Sequence, residues 1–192
     1  MNNHKLNDKS DEMNPKGAPA ICQIVGYKNS GKTTLVCALI PLLQQQGCTV
    51  AVIKHDAHGY DMDHPGTDTW KQRQAGAAAI AITSSSRTSV IEERSSSLAE
   101  LIQHFAGYDY VLVEGFKTED YPKIVLIHQE EDLPLLQETT NIRAIAVWEE
   151  MRDSTAAASV PSKGIGLYGI NDTRGIAVFL WQQRTNFQNF NI

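Results

Sequence analysis

The stretch that decides the fold reads VGYKNSGKTT, from Val25 to Thr34. Residues Gly26–Thr33 match the pattern G-x-x-x-x-G-K-[ST] in every fixed position. The apolar, β-branched segment Ala20–Gly26 predicts a buried strand before the loop, and leucines at helical spacing predict a helix over Gly31–Gln46 after it. A glycine-rich loop between a strand and a helix is the context of a true P-loop, so the sequence predicts a polyphosphate-binding cradle here.

The residue types of this loop suit phosphate chemistry. Glycines let the backbone turn tightly and approach the phosphates, so that successive amide N–H groups point at the phosphate oxygens. The helix N-terminus adds partial positive charge. Lys32 supplies a full charge near the β- and γ-phosphates, and the Thr33 hydroxyl is placed to bind magnesium. Thr34 can donate to the α-phosphate.

Two carboxylates follow other predicted strands. Glu114 ends the apolar segment Tyr110–Val113, where a P-loop protein carries an acid near its magnesium ion. Asp56 follows another strand and is a second candidate for the metal shell or for orienting an attacking water. We therefore predict Asp56 and Glu114 as catalytic residues, and both together with Thr33 as the metal-binding set. The alternatives are a strand-end residue or a partner of Lys32 for Glu114, and a loop cap for Asp56.

The loop over residues 55–66 is rich in histidine and aspartate: His55, Asp56, His58, Asp61, Asp63 and His64. Such a loop can bind a substrate or partner, can be solvated, or can hold a transition metal, although its spacing matches no closed zinc pattern. Lys71 and Arg73, on the helix predicted next, can add positive charge to the same rim.

Alternating strands and helices predict the fold class. Further strands are expected at Thr49–Lys54, Ala78–Thr83, Thr88–Ile91, Ile124–Ile127 and Ala144–Val147. Further helices are expected at Thr67–Ala75, from about Ser97 to Phe105, and from Asn171 or Asp172 to Gln183. This order predicts an α/β fold: a single P-loop NTPase domain over residues 18–192, with a mostly parallel sheet and helices on both faces. Residues 1–17 are expected to be a flexible polar tail.

Composition narrows the class of protein. The 192 residues are 42% hydrophobic and carry a formal net charge of -5, so no basic field favours nucleic acid. No apolar run approaches the roughly 20 residues that a membrane span needs. Cys22, Cys37 and Cys48 lie in apolar contexts, which predicts buried, reduced thiols and a cytoplasmic protein.

Three blocks together resemble the MobB family, whose members are adapter proteins of molybdopterin-guanine dinucleotide biosynthesis. They are VGYKNSGKTT, then VIKHDAHGYDMDHPG over Val52–Gly66, then VLVEGFK over Val111–Lys117. The resemblance implies a GTP-binding, weakly hydrolysing P-loop protein that forms a homodimer. It also implies that the protein assists the guanylyltransferase that joins GMP to molybdopterin, with GTP, Mg²⁺ and molybdopterin or its guanylylated form as ligands.

The resemblance also assigns residues by position. The nucleotide contacts that it implies are Gly26, Asn29, Ser30, Gly31, Lys32, Thr33 and Thr34. It places the loop with His55, Asp56, His58 and Asp61 to His64 beside the dimer groove. The chain has no N-K-x-D guanine-reading box, so the preference for guanine rests on the resemblance alone.

Other functions fit the same cradle. A small-molecule kinase would use Asp56 as the base toward a substrate hydroxyl. A metallochaperone-type switch would carry a metal ion on the histidine- and aspartate-rich loop. A binding module without catalysis would use the cradle alone.

Overall fold

A six-stranded parallel sheet is the centre of the computed structural model, which describes residues 18–56, 59–151 and 164–188. The predicted tail over residues 1–17 and His58 lie outside the described residues. The strands are β1 Ala20–Val25, β2 Val50–Lys54, β3 Ala79–Thr83, β4 Thr88–Glu92, β5 Tyr110–Glu114, β6 Lys123–Ile127, β7 Ile142–Val147 and β8 Gly166–Gly169. The helices are α1 Lys32–Gln44, α2 Asp68–Gln74, α3 Leu98–His104, α4 Leu135–Glu138 and α5 Thr173–Gln182.

The order of strands brings the predicted site loops together. The sheet runs β2-β5-β1-β6-β7-β8, and every neighbouring pair is parallel. β1 therefore lies inside the sheet, with β5 on one side and β6 on the other. The loops after β1, β2 and β5 leave the same edge of the sheet from adjacent strands, which is where open α/β sheets bind ligands.

Helices cover both faces of the sheet, as the sequence predicts. On one face, Cys22 and Ile24 of β1 belong to a buried cluster with Leu39 of α1 and Leu180 of α5. On the other face, neighbouring strand residues pack against α3 in one cluster and against α4 in another. β1, β5 and β6 are buried along their whole length because both of their faces are covered.

Local signals at the helix starts are confirmed. The Thr67 hydroxyl accepts from the amide of Trp70 at the start of α2. Ser97 and Glu100 form a capping box at the start of α3. The Asp172 carboxylate accepts from the amide of residue 175 at the start of α5.

The structure departs from the sequence analysis in three strands. β3 and β4 pair only with each other, as an antiparallel hairpin outside the main sheet, and most of their residues are exposed. β8 was not predicted, because a short segment with a glycine at each end carries little strand signal. It forms because the exposed edge of β7 offers it a ladder of backbone hydrogen bonds.

The prediction of three buried thiols is wrong at one position. Cys22 and Cys48 are buried, but Cys37 is exposed on the solvent side of α1. Its neighbour Val36 faces the sheet, and adjacent residues of a helix point in directions about 100° apart. Within the described ranges, no helix has both the length and the apolarity that crossing a bilayer requires.

Candidate functional site

The P-loop joins β1 to α1 and forms one wall of an open cleft of about 660 Å³. Two of its residues have left-handed backbone conformations, Asn29 with φ of 63° and Gly31 with φ of 96°. A side chain at Gly26 would place its Cβ 2.4 Å from Ser30 Oγ and 3.2 Å from Leu126 Cβ, so the loop would have to shift to accommodate it. Ser30 Oγ is buried without a hydrogen-bond partner among the described residues, an unsatisfied group of the kind that a bound ligand can satisfy.

The cleft is lined by eleven described residues at the carboxyl ends of β1, β2 and β5 and in the first turn of α1. They are Lys28, Asn29, Ser30, Gly31, Lys32, Thr33, Thr34, Lys54, His55, Asp56 and Glu114. Six of the seven predicted nucleotide contacts line it, and the seventh, Gly26, lies just behind as the start of the loop. Asp56 and Glu114 reach the same cleft although they are far apart in the sequence. The structure thus places six of the seven predicted nucleotide contacts and both predicted carboxylates around one cleft.

The Lys32 ammonium folds back over the P-loop. Its Nζ donates to the carbonyl oxygens of Gly26 at 2.9 Å and Tyr27 at 2.6 Å. Partial burial lowers the pKa of Lys32 below its ordinary value, and the nearby Glu114 carboxylate opposes that shift. The ammonium is therefore held at the loop by main-chain acceptors and does not form the ion pair with Glu114 that the sequence left open.

Glu114 instead joins Thr33 and Lys54. The Thr33 hydroxyl donates to Glu114 Oε1 at 2.8 Å, and Lys54 Nζ lies 3.1 Å from the same oxygen. Lys54 Nζ also lies 3.5 Å from Thr33 Oγ1. A hydroxyl and carboxylate oxygens are hard donors of the type that magnesium takes, and Asp56 adds a carboxylate to the same cleft. The donor set therefore fits a magnesium ion.

Two side chains that the sequence analysis missed hold the walls of the cleft. Gln23, buried within β1, donates from Nε2 to the carbonyls of Gly115 at 3.2 Å and Phe116 at 2.7 Å. It also accepts from the amide of Tyr121 at 3.3 Å. The signal for this role was a single polar residue inside an otherwise apolar buried strand.

Trp148 braces the P-loop from the other side. It follows β7, and its indole Nε1 donates to the carbonyl of Ser30 at 3.0 Å. Its ring packs against that of His128 with centroids 4.4 Å apart. A Cβ at Gly31 would come within 3.5 Å of the indole, so the ring and the loop are in close contact. The signal was an aromatic residue at the carboxyl end of a predicted strand.

The two parts of the histidine- and aspartate-rich loop line different cavities, and Asp56 lines both. His55 and Asp56 line the cleft, whereas Asp61 lines a second cavity of about 340 Å³ that shares Asp56 with it. Arg73 lies between the loop and the end of β4, with Nη1 2.8 Å from Asp61 and Nε 2.7 Å from Glu93. These two acceptors raise the pKa of Arg73, and its charge is balanced locally.

A metal centre on this loop gains no support. In the ranges that the structure describes, no group of three or more His, Cys, Asp or Glu side chains is arranged to hold a metal ion. His58, the remaining candidate, lies outside those ranges.

Comparisons with known proteins show similarity to the MobB family. Residues 21–148 match the family model for MobB, molybdopterin guanine dinucleotide synthesis protein B. The molybdopterin-guanine dinucleotide biosynthesis adapter protein of Haemophilus influenzae is 40% identical over 127 residues, which are 64% of this chain and 71% of that protein. The adapter protein of Escherichia coli K12 is 34% identical over 174 residues, which are 83% and 91% of the two chains. A crystal structure of Bacillus subtilis MobB superimposes with a TM-score of 0.71 at 27% identity, over 89% of this chain and 99% of that one.

We expect Gly26→Ala to weaken the binding of magnesium tripolyphosphate about tenfold or more. The added methyl group would overpack the loop at a cost of about 1–3 kcal/mol, and the loop would shift to relieve that cost. Isothermal titration calorimetry measures this. The matched control is Gly107→Ala, because a Cβ at Gly107 would meet no atom within 4 Å. Equal affinities for Gly26→Ala and the wild type would contradict the proposed cradle.

Proposed function

Since this chain belongs to the MobB family of molybdopterin-guanine dinucleotide biosynthesis adapter proteins, we propose that it binds GTP with magnesium in the P-loop cleft and hydrolyses GTP slowly. In this role it assists a guanylyltransferase in the cytoplasm that joins GMP to molybdopterin. The single observation that carries the proposal is the convergence of Lys32, Thr33, Asp56 and Glu114 on one cleft beside the P-loop amides.

Each group in the cleft has a task in this proposal. The P-loop amides and Lys32 bind the β- and γ-phosphates, and Ser30 Oγ gains a partner that it lacks among the described residues. Thr33, with Asp56 and Glu114 nearby, holds magnesium, which when bound neutralises the charge of the phosphate oxygens. Asp56 or Glu114 orients the attacking water.

The proposed hydrolysis is slow for a structural reason. No arginine is among the described residues that line the cleft. An arginine that stabilises the charge of the transition state contributes about 10³–10⁵ in rate in P-loop enzymes. Arg73 is engaged by Asp61 and Glu93. The chain by itself is therefore better suited to binding GTP than to turning it over.

The comparisons do not favour a small-molecule kinase or a metal-carrying switch. The cavity beside the cleft, lined in part by Tyr60, Asp61 and Met62, supports a role in contacting molybdopterin or its guanylylated form. It adjoins the cleft at Asp56, so a ligand there would lie next to the polyphosphate. Its aromatic, apolar and charged lining suits a polar heterocycle.

We also propose a homodimer in which the β3–β4 hairpin lies in the interface. An isolated two-stranded hairpin is only marginally stable in water. This one presents an apolar side chain on each face, Ile82 at 57% exposure and Val90 at 60%. Direct ladder partners share a face, and Ile82 pairs with Ser89 while Val90 pairs with Ala81, so the two exposed residues lie on opposite faces. A second copy of the chain would cover them.

We expect GTP with magnesium to bind more tightly than ATP, and Lys32→Ala to weaken GTP binding at least about tenfold through loss of a charge-assisted contact. Calorimetry with both nucleotides measures this. Arg174→Ala is the control, because Arg174 is an exposed cation on α5 that lines a different cavity, together with residues 45 and 46 beyond the end of α1. Equal affinity for GTP and ATP would contradict the proposed guanine preference. Unchanged GTP binding by Lys32→Ala would contradict the proposed binding site.

We expect the purified guanylyltransferase to bind the GTP-loaded chain and to form molybdopterin guanine dinucleotide faster in its presence. The measurements are co-sedimentation and product formation from molybdopterin and GTP. Lys32→Ala is expected to lose the stimulation, because it loses the nucleotide. Absence of both binding and stimulation for the wild type would contradict the adapter mechanism.

We expect the wild type to sediment as a dimer and the double variant Ile82→Lys/Val90→Lys to sediment as a monomer, because charges on both faces of the hairpin would be buried without partners. Analytical ultracentrifugation measures this. Val178→Lys is the control, because Val178 is an apolar residue on α5 with a similar exposure of 52%. A monomeric wild type at all concentrations would contradict the proposal.

A further inference from the structure

We propose that the Lys54 ammonium occupies the cation position of the magnesium site when no nucleotide is bound, so that Lys54 and magnesium exclude each other there. The inference rests on the proposed function only in assigning magnesium to this cleft. It makes Lys54 a positioning residue that couples metal binding to polyphosphate binding.

The geometry places three polar atoms in mutual contact. Lys54 Nζ lies 3.1 Å from Glu114 Oε1 and 3.5 Å from Thr33 Oγ1, and the two oxygens are 2.8 Å apart. These are two of the oxygens assigned to the metal. The ammonium already satisfies them, so a second cation cannot take both while it remains.

The sheet fixes this arrangement. Lys54 and Glu114 are the last residues of β2 and β5, and they are direct partners in the parallel register. Paired residues in a sheet extend from the same face, so the two side chains leave the sheet side by side. Neither the ammonium nor the carboxylate has to reach across the cleft.

Glu114 needs a cation at this position. Its side chain is only 9% exposed, and a buried carboxylate is costly without a partner. The other nearby ammonium, Lys32, donates to the carbonyls of Gly26 and Tyr27. Among the described residues, Lys54 is therefore the lysine that forms an ion pair with the carboxylate, and its own side chain is 53% exposed on a flexible stem. It can leave for solvent or for a phosphate oxygen at small cost.

This exchange predicts conditional metal binding. Without polyphosphate, a divalent ion would have to displace Lys54 in return for a few protein oxygens. With polyphosphate bound, the ion gains phosphate ligands and the released ammonium gains phosphate oxygens as partners. Magnesium should therefore enter with the nucleotide and bind weakly before it.

The test uses Mn²⁺ as the metal probe on the nucleotide-free, full-length chain, titrated by electron paramagnetic resonance. We expect Lys54→Met and Lys54→Gln each to bind Mn²⁺ about tenfold more tightly than the wild type, because a competing and repelling charge is removed. Lys54→Arg, which keeps the charge, should stay near the wild type. Arg174→Met, which removes an exposed cation that lines a different cavity, should also leave Mn²⁺ affinity unchanged.

A double variant tests whether the gain in Mn²⁺ affinity depends on the Glu114 carboxylate. Lys54→Met/Glu114→Gln should lose the gain, because the carboxylate that the metal would use is gone. Circular dichroism confirms that each variant is folded. Wild-type Mn²⁺ affinity in both Lys54→Met and Lys54→Gln would overturn the inference, and so would an equal gain in Arg174→Met.

Titration of the same variants with GTP and magnesium separates this inference from the proposed function. If GTP with magnesium fails to bind the wild type while Lys54→Met gains Mn²⁺ affinity, the proposed function fails and the cation exchange stands. If GTP with magnesium binds and Lys54→Met gains nothing, the cation exchange fails and the proposed function stands.

Discussion

The parallel pairing of β1 with β5 is the constraint on which the site depends. Ile24 pairs with Glu114, so the carboxylate lies level with the start of the P-loop and reaches Thr33 in the first turn of α1. Successive strand residues point to opposite faces, so a shift of one residue in this register would turn Glu114 away from the cleft. Both strands are fully buried, and that burial makes such a shift costly.

Contacts within the protein hold the walls of the cleft in place. Trp148 holds the P-loop through the Ser30 carbonyl on one side, while Gln23 holds the Gly115–Phe116 segment on the other. Two ammonium groups and a nearly buried carboxylate already have partners within the cleft. Groups fixed in this way need little reorganisation when a polyphosphate binds, and preorganised charge is the main means by which P-loop proteins act on phosphates.

Much of the fold could be predicted from the sequence, because local signals and the hydrophobic pattern of the core indicate the same helices and strands. The capping box at Ser97 and Glu100 begins a helix by hydrogen bonds between near neighbours, which a sequence shows directly. The β3–β4 hairpin and β8 were harder. Ala79–Thr83 is as apolar as a central strand, yet it lies outside the main sheet, because strand pairing depends on contacts between distant segments.

The sequence by itself determined the P-loop, its flanking strand and helix, the α/β class and the candidate acids, because the chemistry of phosphate binding requires particular residues at fixed spacing. Only the tertiary structure decided which side chains meet. It placed Lys54 on Glu114, kept Lys32 on the loop carbonyls, and brought Gln23 and Trp148 to the cleft walls. Such partners are far apart in the chain, and strand order and register, which no local pattern encodes, bring them together.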